Sequence, residues 1–163
     1  MSEREERTTP AEAGAEAARL FDGGLRCAES VVAALARRQG AAPLGDLTAM
    51  ATGFCSGLSR TDGLCGAATG AVMAIGLAKG RRSAADSADE TYAAVRSLLA
   101  EFTNEFGSVS CPELIGCSVA TPEGRETYRE RGLIKRCRAL TQRATEMAAE
   151  LIDREPAAPT RAS

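Results

Sequence analysis

The sequence predicts an all-α fold, a compact bundle of about six or seven helices. Alanine is abundant and β-branched residues are sparse, a composition that favours helices over strands. Apolar residues recur at intervals of three and four along most of the chain, and no segment alternates as a half-buried strand would. With 163 residues, one domain is long enough to bury a core of its own.

The helical pattern predicts a single domain over residues 9–154, between disordered polar tails at 1–8 and 155–163. The N-terminal tail is charged, so we expect neither a signal peptide nor a membrane anchor. Lys and Arg (20) nearly balance Asp and Glu (22), and no basic tract indicates a nucleic-acid partner. These features favour a cytoplasmic protein, in which thiols stay reduced.

In the first half of the chain, proline and glycine mark the ends of the predicted helices. Thr8-Thr9-Pro10 begins the first helix and Gly23-Gly24 ends it. A second helix covers about 25–39, and Pro43 opens a short third helix that reaches about Thr52. A glycine-rich turn, GFCSGLSRTDG, then carries Cys55 to the next helix.

In the second half, we expect a helix over about 65–79 to be the most buried element. Its segment 63–78 is uncharged, but 16 residues are fewer than the roughly 20 that span a bilayer. A long amphipathic helix over 83–106 and a last helix over 134–154 each carry an inward stripe. Two short helices begin near Ser110 and Thr121. The predicted stripes are Tyr92, Val95, Leu99, Phe102 and Phe106, then Cys137, Leu140, Ala144, Met147 and Leu151.

Four of the six cysteines fall where a helix is predicted to begin: Cys27, Cys65, Cys111 and Cys137. Unpaired N–H groups and the helix dipole favour a thiolate or an anionic metal–sulfur group there. Sulfur ligands select zinc, copper(I) or iron–sulfur clusters, and the chain has no histidine for a mixed site. CxxC pairs are absent, so a site would have to be assembled from distant helices. The alternative is that these cysteines are ordinary small core residues.

The strongest local motif is CGAATG at 65–70, in which Gly66 and Gly70 lie four residues apart on one helix face. Glycine inside a helix costs about 1 kcal/mol relative to alanine, which indicates a close approach at these positions. The approaching group is either a cofactor or the backbone of another helix.

Four segments in order carry a family resemblance: CAES at 27–30, GLCGAATGAVMAIGL at 63–77, EFTNEFGSVSCPELIGC at 101–117, and a late Cys137. They resemble the C_GCAxxG_C_C family of redox-active proteins over about residues 18–152. The four cysteines of the family name correspond to Cys27, Cys65, Cys111 and Cys137, with Cys117 as a competing fourth position and Cys55 outside the set. The family is similar to the iron–sulfur part of split-Soret cytochromes, which implies an iron–sulfur cluster ligated by these cysteines. The haem-attachment motif is missing, so the resemblance implies no haem.

The function expected from this resemblance is electron transfer or redox sensing, with a redox partner protein and with Gly66 and Gly70 beside the cofactor. One rival hypothesis is a thiol–disulfide oxidoreductase or a peroxide-reducing protein with Cys65 as the attacking thiolate, and its sequence-local cysteine pairs are Cys55–Cys65 and Cys111–Cys117. Another is a structural module, zinc-stabilised or metal-free, that pairs as a homodimer through small-residue faces.

Charged residues near the cysteines are open to two interpretations. The basic group around the last cysteine either tunes that cysteine or forms a solvated helix face, and we favour the latter. Asp62 and Glu113 are either oxygen ligands or residues that favour a helix start. The basic group comprises Arg129, Arg131, Lys135, Arg136, Arg138 and Arg143.

Overall fold

The computed structural model describes residues 7–155, and this part of the chain is all-α, which confirms the predicted fold class. The two predicted tails lie mostly outside the described residues. Among residues 7–155 the only β-type pairing is an isolated bridge between Leu64 and Ser110, and no helix there is long and apolar enough to cross a bilayer. The eight helices are α1 (Pro10–Asp22), α2 (Cys27–Arg38), α3 (Leu44–Ala51), α4 (Gly66–Lys79), α5 (Asp89–Phe106), α6 (Cys111–Ile115), α7 (Pro122–Glu130) and α8 (Ile134–Asp153).

Helices α1, α2, α4 and α8 pack against one another to form the centre of the bundle. The inward stripe predicted for α8 is buried from Leu140 to Leu151. Helix α2 is more buried than α4, with eight of twelve residues buried against eight of fourteen, so the prediction that α4 is the most buried helix is wrong. The reason is that α2 has neighbours on several sides, since α1, α3, α4 and α8 all contact it.

Helix α5 begins later and presents a different face than predicted. Residues 83–88 form a turn, because Asp86 accepts hydrogen bonds from the N–H groups of Arg82 (2.7 Å) and Ser83 (2.9 Å). The buried residues of α5 are Ala94, Leu98 and Phe102, spaced by four. Tyr92 is 60% exposed, so its place in the predicted stripe is wrong.

Between α3 and α4 the backbone turns with the opposite hand to an ordinary helix. After a single 3₁₀ turn at Thr52–Phe54, residues 56–60 all have φ between 55° and 65°. Four of these five residues are not glycine, and left-handed backbone costs about 1–2 kcal/mol for each such residue. We call residues 55–60 the left-handed turn. It occupies the position of the predicted glycine-rich turn and carries Cys55 at its start.

Candidate redox site at a four-cysteine cavity

The four cysteines of the predicted ligand set line one cavity of about 430 Å³, which we call the four-cysteine cavity. Each comes from a different part of the bundle. Cys27 is the first residue of α2, Cys65 immediately precedes α4, Cys111 is the first residue of α6, and Cys137 lies in the first turn of α8. Residues more than 100 positions apart in the chain therefore meet at a single site.

Backbone pairing holds Cys65 and Cys111 side by side. The N–H of Cys65 donates to the Val109 carbonyl at 2.8 Å, and the N–H of Cys111 donates to the Gly63 carbonyl at 2.9 Å. These hydrogen bonds flank the isolated bridge between Leu64 and Ser110. Two of the four sulfurs are thus positioned by main-chain contacts that do not require a bound group.

The absence of a side chain at two glycines allows two of the cysteine side chains to lie close to the glycine backbone. A Cβ on Gly66 would lie 2.3 Å from the Cys27 Sγ, and a Cβ on Gly57 would lie 2.8 Å from the Cys111 Cβ. Gly70 has another role, because a Cβ there would lie 2.9 Å from the backbone of Ala28 in α2. Gly66 therefore serves the cavity, whereas Gly70 serves helix packing.

Hydrogen bonds converge on the Cys27 sulfur and lower the pKa of this thiol to about 6. The largest contribution comes from the Cys55 thiol, and it outweighs the opposing effect of burial. The backbone N–H groups of Ser56 and Ala28 lower the pKa of Cys27 further. In the metal-free protein, Cys27 is accordingly a thiolate at neutral pH.

Cys55 does not line the cavity, and it belongs to a buried cluster that contacts Cys27. Its hydrogen bond to Cys27, together with burial, raises the pKa of Cys55, so this residue keeps its proton. The single thiol hydrogen has a second acceptor in reach, the Ala51 carbonyl, whose oxygen lies 3.6 Å from the Cys55 sulfur. Sequence reasoning missed this partnership, because 27 residues separate the two cysteines and no motif joins them.

The other three cavity cysteines remain neutral thiols when no metal is bound. Burial, reinforced by the charges of neighbouring cysteines, raises the pKa of Cys65 and of Cys111 to about 12. Burial likewise raises the pKa of Cys137. Among the four, the pKa is lowered only at Cys27, where the effect of the Cys55 thiol outweighs burial. At Cys65, the N–H groups of Ala68 and Ala67 do not overcome burial.

Tyr128 from α7 joins the site beside Cys137. Burial, followed by a hydrogen bond to Cys137, raises the pKa of the Tyr128 hydroxyl, which thus stays protonated as a donor. Cys117 packs in the same apolar cluster as Cys137 and Tyr128 but does not line the cavity. On geometry alone, Cys137 is therefore better placed than Cys117 to be a fourth ligand.

Most of the basic residues near Cys137 form a solvated face. Arg138 pairs with Asp22, Arg143 pairs with Glu105 and Glu146, and Arg129 pairs with Glu126. Of the six, only Arg129 lines the four-cysteine cavity. Arginines that the sequence did not single out also line it, and they come from other elements: Arg26, Arg60 and Arg125.

The two acidic residues near the cysteines have hydroxyl partners outside the cavity. The Ser118 hydroxyl donates to Asp62 at 2.6 Å, and the Ser108 hydroxyl donates to Glu113. Within residues 7–155, no three Cys, Asp or Glu side chains are close enough together to hold a single metal ion. The four sulfurs instead surround a cavity.

Comparison with known proteins supplies a family and no individual relative. Searches of curated proteins and of solved structures return no match. The family model described as "Putative redox-active protein (C_GCAxxG_C_C)" matches residues 25–151, which include all four cavity cysteines. The chain belongs to the C_GCAxxG_C_C family of redox-active proteins.

Proposed function

We propose that the protein binds an iron–sulfur cluster in the four-cysteine cavity and uses it for electron transfer or redox sensing. The observation that carries this proposal is the meeting of Cys27, Cys65, Cys111 and Cys137, from four separate elements, at one cavity of about 430 Å³. A donor set made only of cysteine sulfur is the usual ligation of such clusters.

The arrangement of the donor side chains favours a cluster over a single zinc ion. Structural zinc requires four sulfurs about 2.3 Å from one central point. The described side chains do not converge in that way, since no three of them could hold one ion. A cluster has several iron atoms and therefore bridges sulfurs that lie farther apart around a cavity.

The charges around the cavity also suit a cluster. Burial, and after it the charges of neighbouring cysteines, raises the pKa values of Cys65, Cys111 and Cys137, so four thiolates would not persist there without a cation. Metal binding would displace the protons of these thiols. Arginine side chains at the cavity compensate the negative charge that remains, and they come from Arg26, Arg60, Arg125 and Arg129.

Hydrogen bonds to the ligand sulfurs are a further means of control. The N–H groups of Ser56 and Ala28 donate to the Cys27 sulfur, and the Tyr128 hydroxyl donates to the Cys137 sulfur. Such bonds, together with burial, would tune the reduction potential of a bound cluster, which would supply one-electron transfer.

The proposal is tested by anaerobic purification, reconstitution with iron and sulfide, and quantification of both. We expect the wild-type protein to hold iron and acid-labile sulfide in equal amounts. Cys65→Ser and Cys137→Ser should lose most of both, whereas the matched control Cys117→Ser should keep them. A protein that holds no iron after reconstitution, or that binds one zinc ion through the same cysteines, would contradict the proposal.

A further inference from the structure

Cys55 lies next to a cavity cysteine, yet a four-cysteine ligand set does not use it. It is 2% exposed and packs with Ala28, Val32 and Ala51 in a cluster that also contacts Cys27. A buried thiol in such a place is often an inert core residue. Its contact with a second cysteine distinguishes it from an ordinary core residue.

Cys27 and Cys55 both lie close to Gly66. The position that a Cβ would take on Gly66 lies 2.3 Å from the Cys27 Sγ and 3.2 Å from the Cys55 Cα. Cys27 also packs against the buried cluster that contains Cys55. The Cys27 sulfur and the Cys55 backbone therefore border the same small space, as a disulfide between the two residues requires.

The two thiols differ in access and in surroundings. Cys27 is half-buried and lines the cavity, whereas Cys55 is buried behind it. A small oxidant that enters the cavity therefore reaches Cys27 first, and Cys55 lies next to the sulfur that reacts.

We propose that Cys27 and Cys55 form a redox-active dithiol that, in the metal-free protein, reduces a small hydroperoxide. The Cys27 thiolate attacks one peroxide oxygen, so that an S–O bond forms and the O–O bond breaks. Cys27 becomes a sulfenic acid, and the leaving oxygen takes up a proton to give an alcohol or water.

The Cys55 sulfur then attacks the Cys27 sulfur, so that the S–S bond forms and the S–O bond breaks. The released hydroxide takes the Cys55 proton and becomes water. In total, two thiols are oxidised to one disulfide and one peroxide is reduced by two electrons.

This reaction does not depend on the proposed cluster, because it uses the metal-free chain and a cysteine outside the ligand set. It has a consequence for the cluster all the same. A Cys27–Cys55 disulfide would remove Cys27 from the four ligands, so oxidation of the metal-free protein would prevent cluster binding until a thiol reductant restored the pair.

The test uses the full-length protein after removal of metal with a chelator. One equivalent of hydrogen peroxide is added, free thiols are blocked with N-ethylmaleimide, and tryptic peptides are analysed without reduction. Arginine and lysine residues separate Cys27, Cys55 and Cys65 into different tryptic peptides, so the linked pair is read directly. We expect Cys27–Cys55 to be the main linked pair. A Cys27–Cys65 link as the main product, or a protein in which Cys55 stays blocked as a free thiol, would overturn the proposal.

A variant pair provides a second readout. In Cys55→Ser, the Cys27 sulfenic acid has no resolving thiol, and we expect dimedone to label Cys27 several-fold more than in the wild type. The matched control Cys117→Ser should form the Cys27–Cys55 disulfide as the wild type does. Equal dimedone labelling of Cys27 in the wild type and in Cys55→Ser would contradict the role of Cys55. Because no iron is present, these results are independent of whether the cluster proposal succeeds.

Discussion

Replacing Gly66 by alanine is expected to destabilise the protein, although alanine is the better helix former. The new Cβ would lie 2.3 Å from the Cys27 Sγ, 3.1 Å from the Phe54 carbonyl oxygen and 3.2 Å from the Cys55 Cα. Ordinary contact between carbon atoms is about 3.5–4.0 Å, so the Cys27 sulfur would have to retreat by roughly 1 Å or more. Two of the three obstructing atoms belong to the backbone and cannot rotate away.

The magnitude follows from two opposing effects. Overpacking of this kind costs about 1–3 kcal/mol. The gain in helix propensity is about 1 kcal/mol in a helix interior and is smaller at Gly66, the first residue of α4. We therefore expect a net loss of about 1–2 kcal/mol in the free energy of unfolding, measured by urea denaturation of the metal-free protein.

Gly76→Ala in the same helix is the matched control. Nothing lies within 4 Å of a Cβ at Gly76, so this substitution should stabilise the protein by about 0.5–1 kcal/mol. The two glycine-to-alanine substitutions should thus have opposite signs. If Gly66→Ala stabilises the protein as much as Gly76→Ala does, the close seating of the Cys27 sulfur over Gly66 is wrong.

Two further predictions concern the thiols and the core. In the metal-free protein, alkylation of Cys27 by iodoacetamide should increase as the pH rises through about 6, because its pKa is lowered to that value. Cys65 should react slowly even at pH 9, because burial raises its pKa. Similar pH profiles for the two residues would contradict the hydrogen bonding described for Cys27. Phe102→Ala should cost about 3–5 kcal/mol in unfolding experiments, because the ring is fully buried in α5, 4.8 Å from the Phe106 ring. Tyr92→Ala, at an exposed position of the same helix, should stay within about 0.5 kcal/mol of the wild type, and a comparable loss there would contradict the observed buried face of α5.

Most helix boundaries were predictable because local residues determine them, although α5 begins at Asp89 and not near residue 83. Thr9 caps α1 through a capping box with Glu12, and glycine in left-handed conformation ends α5 at Gly107. Tertiary contacts decide which face of a helix is buried, and there the prediction was less accurate. On α5, Leu98 and Leu99 are adjacent, and a helical spacing of apolar residues can be drawn through either of them. The neighbouring helices cover the face that contains Leu98.

The meeting of four cysteines was predictable from their repeated position at helix starts, but the means of assembling them was not. The bridge that aligns Cys65 with Cys111 pairs Leu64 with Ser110, and a single-residue bridge leaves no alternating pattern in the sequence. The left-handed turn is equally hidden, because four non-glycine residues with positive φ oppose their own local preference. The turn is held by hydrogen bonds beyond its own residues. The N–H groups of Thr61 and Gly63 donate to the Gly57 carbonyl, and the Ser59 hydroxyl donates to the Gly53 carbonyl.

The thiol pKa values needed the structure for a similar reason. A helix start favours a thiolate at Cys27 and at Cys65 alike, and the sequence does not distinguish them. Burial raises the pKa of Cys65, so this residue stays a thiol. A hydrogen bond from Cys55 lowers the pKa of Cys27, so that residue is a thiolate. Depth in the bundle and long-range partners are both properties of the folded chain.

The most direct test of the four-cysteine cavity as a metal centre is anomalous X-ray diffraction at the iron edge from crystals of the reconstituted protein. We expect iron peaks inside the cavity, bonded to the sulfurs of Cys27, Cys65, Cys111 and Cys137, with Cys55 and Cys117 unbound. Iron bonded to Cys117 in place of Cys137, or no anomalous peak in the cavity of a protein that holds iron, would contradict this expectation.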